Sequence, residues 1–153
     1  MDIIFDIETV GLNPLKDRIT AIGIKTENEE RIFTNKNEKK IIKDFWDYLK
    51  KFKTFCLIGF NNFEFDNNYI IIRSMLYRIK VLDINYKSID LRRKLMGWNK
   101  YKEGKLEDFS KFLGYEPKYN GYAGSHIPLL WQEGKIKELI EYLSSNMNKP
   151  LTI

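Results

Sequence analysis

The sequence has little that forms cross-links, binds soft metals or crosses a membrane. Its 153 residues include one cysteine and one histidine. Cys56 has no partner for an internal disulfide, and its apolar neighbours predict a buried packing residue in a reducing compartment. No apolar stretch approaches the roughly 20 residues of a membrane-spanning helix, and no signal sequence precedes the first strand. We therefore expect an intracellular, cytoplasmic, soluble protein that does not contact a membrane.

Linkers, internal repeats and low-complexity tracts are also missing. A chain of 153 residues fits one domain with a sizeable core, so we predict a single domain over residues 1–153. The composition, 43% hydrophobic and 31% charged, is that of an ordinary globular protein. The net charge of +5 permits a polyanionic partner such as a nucleic acid, and a solvated lysine surface is the alternative.

The first strand, residues 2–9, carries the main functional signal. Side chains alternate between the two faces of a strand, and here both faces are apolar at first, as in a central strand covered on both sides. Asp6 and Glu8 then follow Ile4 on one face. Buried unpaired carboxylates are costly, and a divalent cation between them would remove that cost. The alternative is a half-exposed strand whose acids face water.

The rest of the chain predicts an α/β domain around a mixed sheet. Strand patterns and helix patterns alternate along it. The predicted strands are 19–25, 31–34, 54–60 and 88–91, and the predicted helices are 38–53, 67–77, 106–113, 127–131 and 135–146.

A third acid, Asp66, stands at the start of the helix that follows the fourth strand. An acid in this position also complements the helix dipole without any metal. If the fourth strand lies beside the first, Asp66 comes close to Asp6 and Glu8. Three acids at the carboxyl edge of a sheet are typical of a metal site.

These residues resemble the motifs of the DEDD (DnaQ-like) 3′→5′ exonucleases. The segment from Phe5 to Thr9 resembles the first motif. Asn61 or Asn62, followed by Phe65 and Asp66, resembles the second, and the sequence supplies an asparagine at both permitted spacings.

The third motif of the tyrosine (DEDDy) subclass resembles the segment that begins at Tyr142. Asn146 stands where the family has an aspartate. An engineered inactivation, a naturally degenerate enzyme and a mispaired motif all explain this difference, and Asp90 and Glu141 are possible substitutes for the missing acid. Together the motifs are similar to the exonuclease domain of B-type DNA polymerases.

The resemblance implies an RNase H-like fold, with a mixed five-stranded sheet flanked by helices, and a two-metal mechanism. It implies two Mg²⁺ or Mn²⁺ ions held by Asp6, Glu8, Asp66 and Asn146. By the same resemblance, Tyr142 orients the nucleophilic water. The implied reaction is hydrolysis of phosphodiester bonds from the 3′ end of single-stranded DNA, with RNA as the second candidate substrate.

Substrate contacts are also implied by the resemblance. Thr9 and the following backbone would touch the terminal nucleotide, Leu12 would wedge between the last two bases, and Phe65 with Asn61 or Asn62 would contact the single strand. Phe65 is otherwise a core aromatic residue.

A tyrosine-rich segment precedes the third motif. Tyr115, Tyr119 and Tyr122, near Lys118, either line the nucleic-acid channel or lie over the core.

The sequence names no protein partner. Because of Asn146, a catalytically impaired module that binds single-stranded nucleic acid is the alternative function, and a domain that keeps only the fold is a third.

Overall fold

The computed structural model describes residues 1–97, 104–115 and 122–149. Five strands form one sheet: β1 (Asp2–Thr9), β2 (Ile19–Lys25), β3 (Glu30–Thr34), β4 (Cys56–Gly59) and β5 (Ser88–Asp90). Six α-helices are described: α1 (Glu38–Leu49), α2 (Asp66–Leu76), α3 (Leu91–Met96), α4 (Leu106–Phe112), α5 (Ile127–Gln132) and α6 (Ile136–Met147).

The sheet is mixed, with the strand order β3-β2-β1-β4-β5. The first three strands form an antiparallel meander, while β4 and β5 run parallel to β1. This arrangement confirms the predicted five-stranded sheet with β1 at its centre. Because β1 and β4 are parallel neighbours, their carboxyl ends meet at one edge.

Helices cover both faces of β1. Alternate residues of β1, beginning with Ile3, pack with α1 and α2 in one core cluster, whose centre is the fully buried Trp46. The indole of Trp46 donates a hydrogen bond to Ser74 Oγ over 2.8 Å. The opposite face packs against α5 and α6 through a second cluster that includes Leu139 and Leu143. A strand covered on both faces explains the three successive apolar residues of β1, Ile3, Ile4 and Phe5.

A glycine lets α6 approach the sheet closely. Gly23 of β2 pairs with Asp6 of β1. A Cβ atom at Gly23 would lie 2.7 Å from Met147 Sδ and 3.0 Å from Leu143 Cγ. A larger residue would therefore require the side chains of Met147 and Leu143 on α6 to move.

A buried ion pair holds the segment that follows β1. Glu38 and Arg73 are both buried, with 2.5 Å between Arg73 Nη2 and Glu38 Oε2. Glu38 also accepts hydrogen bonds from the Tyr77 hydroxyl and from the backbone N–H of Ile19, and Arg73 donates to the carbonyl of Pro14. Helices α1 and α2 thus fix residues 10–18 against the sheet.

Two predicted boundaries differ from the observed ones by more than one residue. The first helix ends at Leu49, and β4 begins only at Cys56. Helix α3 was not predicted; it begins where Asp90 accepts a hydrogen bond from the backbone N–H of Arg93 as an N-cap. Within the described ranges, no helix has the length and apolar character needed to span a membrane.

Candidate active site

Strand β1 carries Asp6 and Glu8 on the face that α6 covers. Glu8 is buried and Asp6 is half-buried. The pairing of β1 with β2 shifts register between Glu8 and Thr9, at the carboxyl end of the strand.

The third acid reaches the same place from the neighbouring strand. Asp66 is the first residue of α2 and is buried. Its Oδ1 accepts a hydrogen bond of 3.0 Å from the backbone N–H of Ile7, the residue between Asp6 and Glu8. The parallel pairing of β4 with β1 therefore places Asp66 beside the strand that carries Asp6 and Glu8.

Burial raises the pKa of all three acids, and the charge of Asp6 adds to the rise for Glu8 and Asp66. Burial raises the pKa of Asp6 to about 6, against the opposing effects of a hydrogen bond from Asn146 and the charge of Lys149. Burial and then the charges of Asp6 and Asp66 raise the pKa of Glu8 well above its ordinary value. Burial and then the charge of Asp6 do the same for Asp66. Such shifts mark acids that lack a sufficient counter-charge.

Asn146 lies on the last turn of α6 and faces the acids. Its Nδ2 donates to Asp6 Oδ2 over 3.4 Å, and its Oδ1 accepts from Lys149 Nζ over 2.9 Å. The amide therefore offers Asp6 a donor. To serve as a metal ligand, Asn146 would have to turn its oxygen towards the acids.

Tyr142 lies one helical turn before Asn146, on the same face of α6. Its side chain is buried. Burial raises the pKa of Tyr142 to about 12; a hydrogen bond with Asn146 opposes the shift, and the charges of Glu8 and Asp6 add to it. The phenol is therefore protonated at neutral pH and can both donate and accept a hydrogen bond.

The acids therefore lie on the central strand and at the start of the helix that follows its parallel neighbour, with the tyrosine on the helix above them. A sequence model of the RNase H superfamily matches residues 3–152. The chain belongs to the RNase H superfamily. This membership agrees with the observed sheet and confirms the predicted fold.

Three proteins are similar to the chain over most of its length. An uncharacterised protein of Methanocaldococcus jannaschii is 38% identical over 134 residues, which is 85% of this chain and 76% of that protein. A DNA polymerase of Archaeoglobus fulgidus is 26% identical over 92% of this chain, but the match covers 20% of the polymerase. The family B DNA polymerase of Pyrobaculum calidifontis superposes with a TM-score of 0.79 at 20% identity, over 97% of this chain and 23% of the polymerase. The chain thus spans about a fifth of the polymerases that it matches.

The donor atoms of this RNase H-like site suit a hard divalent cation. Carboxylate oxygens are the ligands that Mg²⁺ and Mn²⁺ prefer, and the raised pKa values of Asp6, Glu8 and Asp66 show that they need positive charge. However, in residues 1–97, 104–115 and 122–149 no three acidic, histidine or cysteine side chains are already arranged around one ion position. The chemistry of the site fits the cations, and the ligand assignments stay predictions.

Replacing Asp6 with asparagine is expected to stabilise the metal-free protein near neutral pH. The folded-state pKa of Asp6, about 6, is above its ordinary value of 3.8. The charge therefore destabilises the folded state above pH 6, and the cost vanishes below about pH 4, where both states are protonated. We expect Asp6→Asn to raise the free energy of unfolding by about 1–3 kcal/mol at pH 7.5 and to leave it almost unchanged at pH 4. Urea unfolding measures both values.

The response to Mn²⁺ shows whether Asp6 belongs to a cation site or only carries one of many negative charges. Added Mn²⁺ should raise the melting temperature of the unaltered protein by mass action, and it should not do so for Asp6→Asn. Asp2→Asn, at the exposed start of the same strand, is the matched control and should keep the Mn²⁺ response. An equal Mn²⁺ response in Asp6→Asn would contradict a cation site at Asp6.

The predicted substrate contacts differ in exposure. Leu12 is 83% exposed, as a wedge requires. Thr9 is buried and donates to the carbonyl of Gly11 over 2.7 Å, so its side chain shapes the loop. Phe65 is half-buried and packs against Tyr69, with 5.1 Å between ring centroids; it is partly a core residue and keeps an exposed edge.

The two candidate asparagines of the second motif occupy different environments. Asn61 is half-buried and adopts a positive φ of 65°, which asparagine tolerates better than most residues. Asn62 is fully buried against Gly59, and among the residues that the structure describes neither polar atom of its side chain has a hydrogen-bond partner. Of the two side chains, Asn61 is therefore the one that a substrate can reach.

The candidate substitutes for the third-motif acid do not take its place in this structure. Asp90 is buried and accepts hydrogen bonds from the backbone N–H groups of Asn61, Phe63 and Arg93, so it holds a turn. Glu141 is exposed on α6.

The predicted tyrosine segment is only partly described. Tyr115 is exposed, and Tyr122 packs against the second core cluster and the ring of His126. Tyr119 and Lys118 lie outside the described residues.

Lys149 and the cavity beside it were not predicted from the sequence. A cavity of about 540 Å³ extends from Asp6 and is lined by Asn146, Lys149, Lys25 and several apolar side chains. The only sequence signal for Lys149 is its position three residues after Asn146. A single lysine in a lysine-rich sequence does not predict a role in the site; its position beside the acids becomes visible only in the fold.

Proposed function

We propose that the chain is a single-domain, metal-dependent 3′→5′ exonuclease of the DEDD type, tyrosine subclass, that acts on single-stranded DNA or unpaired 3′ ends. RNA is the second candidate substrate. The proposal rests on one observation above all: the Asp66 carboxylate accepts a hydrogen bond from the backbone N–H of Ile7, between Asp6 and Glu8, and Tyr142 lies on the helix that covers this face of β1. The similarity to family B DNA polymerases supports it.

The roles follow from the chemistry of each group. When bound, two Mg²⁺ or Mn²⁺ ions stabilise the attacking and leaving oxygens of an in-line displacement. Asp6, Glu8 and Asp66 hold them through carboxylate oxygens, with the amide oxygen of Asn146 as a weaker ligand once it turns. Protonated Tyr142 orients the attacking water by a hydrogen bond.

The substrate strand would approach from the loop after β1. Leu12 there is exposed and inserts between the last two bases, while Phe65 and Asn61 contact the strand. Contacts with aromatic and apolar side chains tolerate any base sequence. Lysine and arginine contacts with phosphates would make the affinity fall steeply with salt.

The direct test is the degradation of 5′-labelled single-stranded DNA and RNA in Mg²⁺, Mn²⁺ or EDTA. A ladder that shortens with time, in either metal and not in EDTA, supports the exonuclease. Asp6→Asn, which keeps the size of the side chain, should remove the ladder. A ladder that persists with Asp6→Asn would point to a contaminating nuclease and reject this site.

One observation favours a second candidate function, a binding module without turnover. Asn146 brings no negative charge, and its amide nitrogen donates to Asp6. Retention of labelled single strands without shortening, in Mg²⁺ and Mn²⁺ alike, would favour this function over the exonuclease.

Leu12→Ala is expected to weaken binding of single-stranded DNA without changing stability. Loss of base contact costs about 1–3 kcal/mol per base, and an exposed leucine adds little to the core. Leu15→Ala is the matched control, because Leu15 lies on the same loop and is 79% exposed but has no proposed contact. Fluorescence anisotropy with a labelled oligonucleotide measures both. Equal losses in the two variants would reject the wedge.

A further inference from the structure

Lys149 is an unusually enclosed lysine. It follows the end of α6, and its side chain is only 9% exposed. Its ammonium donates to Asn146 Oδ1 over 2.9 Å and lies 3.8 Å from Glu107 Oε1. Enclosed ammonium groups are costly unless they are paired and hydrogen-bonded, so these contacts fix its position.

The amide of Asn146 links this ammonium to the acids. Its oxygen accepts from Lys149, and its nitrogen donates to Asp6. Asp6, Asn146 and Lys149 line the same cavity. The charge of Lys149 also acts on both Asp6 and Glu8, opposing the rise in their pKa values.

We propose that Lys149 is a resident counter-ion of the acidic site and competes with a divalent cation for it. This inference rests on the proposed function. The amide oxygen of Asn146 points at the Lys149 ammonium while its nitrogen faces Asp6, so a cation among the acids meets the nitrogen unless the amide turns. Two positive groups at one cluster of acids also repel each other. A cation that enters therefore displaces the Lys149 ammonium and frees the amide to turn.

An aspartate at position 146 could not make the same bridge, because a carboxylate has no proton to donate to Asp6. The amide of Asn146 can therefore contact both charged groups, because it donates to the Asp6 carboxylate and accepts from the Lys149 ammonium. The expected consequence is a site that binds divalent cations weakly while Lys149 remains in place.

The test is calorimetric titration of Mn²⁺ into the unaltered protein and three variants. Lys149→Gln removes the charge and keeps a donor for Asn146. It should bind Mn²⁺ about tenfold more tightly, a usual size for coupling between two ligands. Lys149→Arg keeps the charge and should stay close to the unaltered protein. Lys25→Gln is the matched control: Lys25 lines the same cavity but bonds to Asn148, so its loss should change the Mn²⁺ affinity less than about twofold.

A second measurement needs no variant. If Mn²⁺ displaces Lys149, then Lys149 should react faster with an amine-acylating reagent at saturating Mn²⁺, while Lys25 should not, as read by mass spectrometry. This result would support the competition even where Lys149→Gln fails to fold.

The outcomes separate this inference from the proposed function. Mn²⁺ binding that is unchanged or weaker in Lys149→Gln, or Lys149 acylation unaffected by Mn²⁺ in a protein that binds it, would overturn the inference and leave the exonuclease intact. No Mn²⁺ binding to any of the four proteins would overturn the metal-dependent function and the inference with it.

Discussion

Asn146→Asp is expected to raise the rate of single-strand cleavage by orders of magnitude. The change adds a negative charge beside Asp6, where Asn146 already lies within 3.4 Å, and it barely changes the volume of the side chain. Stronger cation binding and a better activated water both lower the barrier, and each 1.36 kcal/mol is about a tenfold change in rate. Single-turnover cleavage of a labelled oligonucleotide at saturating Mn²⁺ measures the effect.

The controls show whether the faster cleavage requires the new carboxylate at position 146 or only an added negative charge. Asn148→Asp makes the same chemical change two residues later, on an exposed residue that bonds to Glu30, and should leave the rate unchanged. Tyr142→Phe in the Asn146→Asp background should cut the rate and keep Mn²⁺ binding. Because Lys149 can pair with a new carboxylate, the Asn146→Asp/Lys149→Gln variant is measured as well. If neither carboxylate variant is faster than the parent, the third motif is misassigned.

Arg73→Met is expected to destabilise the fold by about 3–5 kcal/mol, because it leaves the buried carboxylate of Glu38 without its partner. Burial alone raises the pKa of Glu38, but hydrogen bonds from Arg73, Tyr77 and the N–H of Ile19 outweigh it and hold the pKa below its ordinary value. Urea unfolding at pH 7 measures the loss.

The pH dependence checks that the loss belongs to Glu38. A depressed pKa contributes stability above the unfolded-state value, and this contribution is lost as pH falls through the folded-state value. The difference in the free energy of unfolding between Arg73→Met and the unaltered protein should therefore become smaller at acid pH. Adding Glu38→Gln to Arg73→Met should restore part of the lost stability. Lys43→Met breaks the exposed pair with Asp47 and should cost less than about 1 kcal/mol. A similar cost for Arg73→Met would show that the buried pair matters no more than a surface one.

The sheet was largely predictable because its signals are local. Each signal depends on residues that are neighbours in sequence. These signals are the apolar residues on both faces of β1, the apolar run of β4 and the helical spacing of apolar residues in α1. Helix α3 was missed because its start depends on Asp90, whose role becomes visible only when its carboxylate bonds to backbone groups of two segments.

The acids of the site were predictable for a related reason. Asp6 and Glu8 share a strand, and Asp66 follows the strand that neighbours it, so topology alone brings them together. The orientation of the Asn146 amide was not predictable, since it is set by Lys149 and Asp6 from opposite sides. The burial of Asn62 was equally hidden, because the close contact with Gly59 that encloses it depends on the packing of the second motif.

The position of Asn146 near the end of α6 has an electrostatic consequence of its own. The carboxyl end of a helix carries the equivalent of about half a negative elementary charge, from carbonyl groups that have no partner within the helix. Helix α6 ends at Met147, so this partial charge lies beside Asp6 and Glu8. The helix therefore repels phosphate and attracts cations even without a carboxylate at position 146. A nucleic acid that reaches this point must bring compensating cations with it, or it will be held by other parts of the surface.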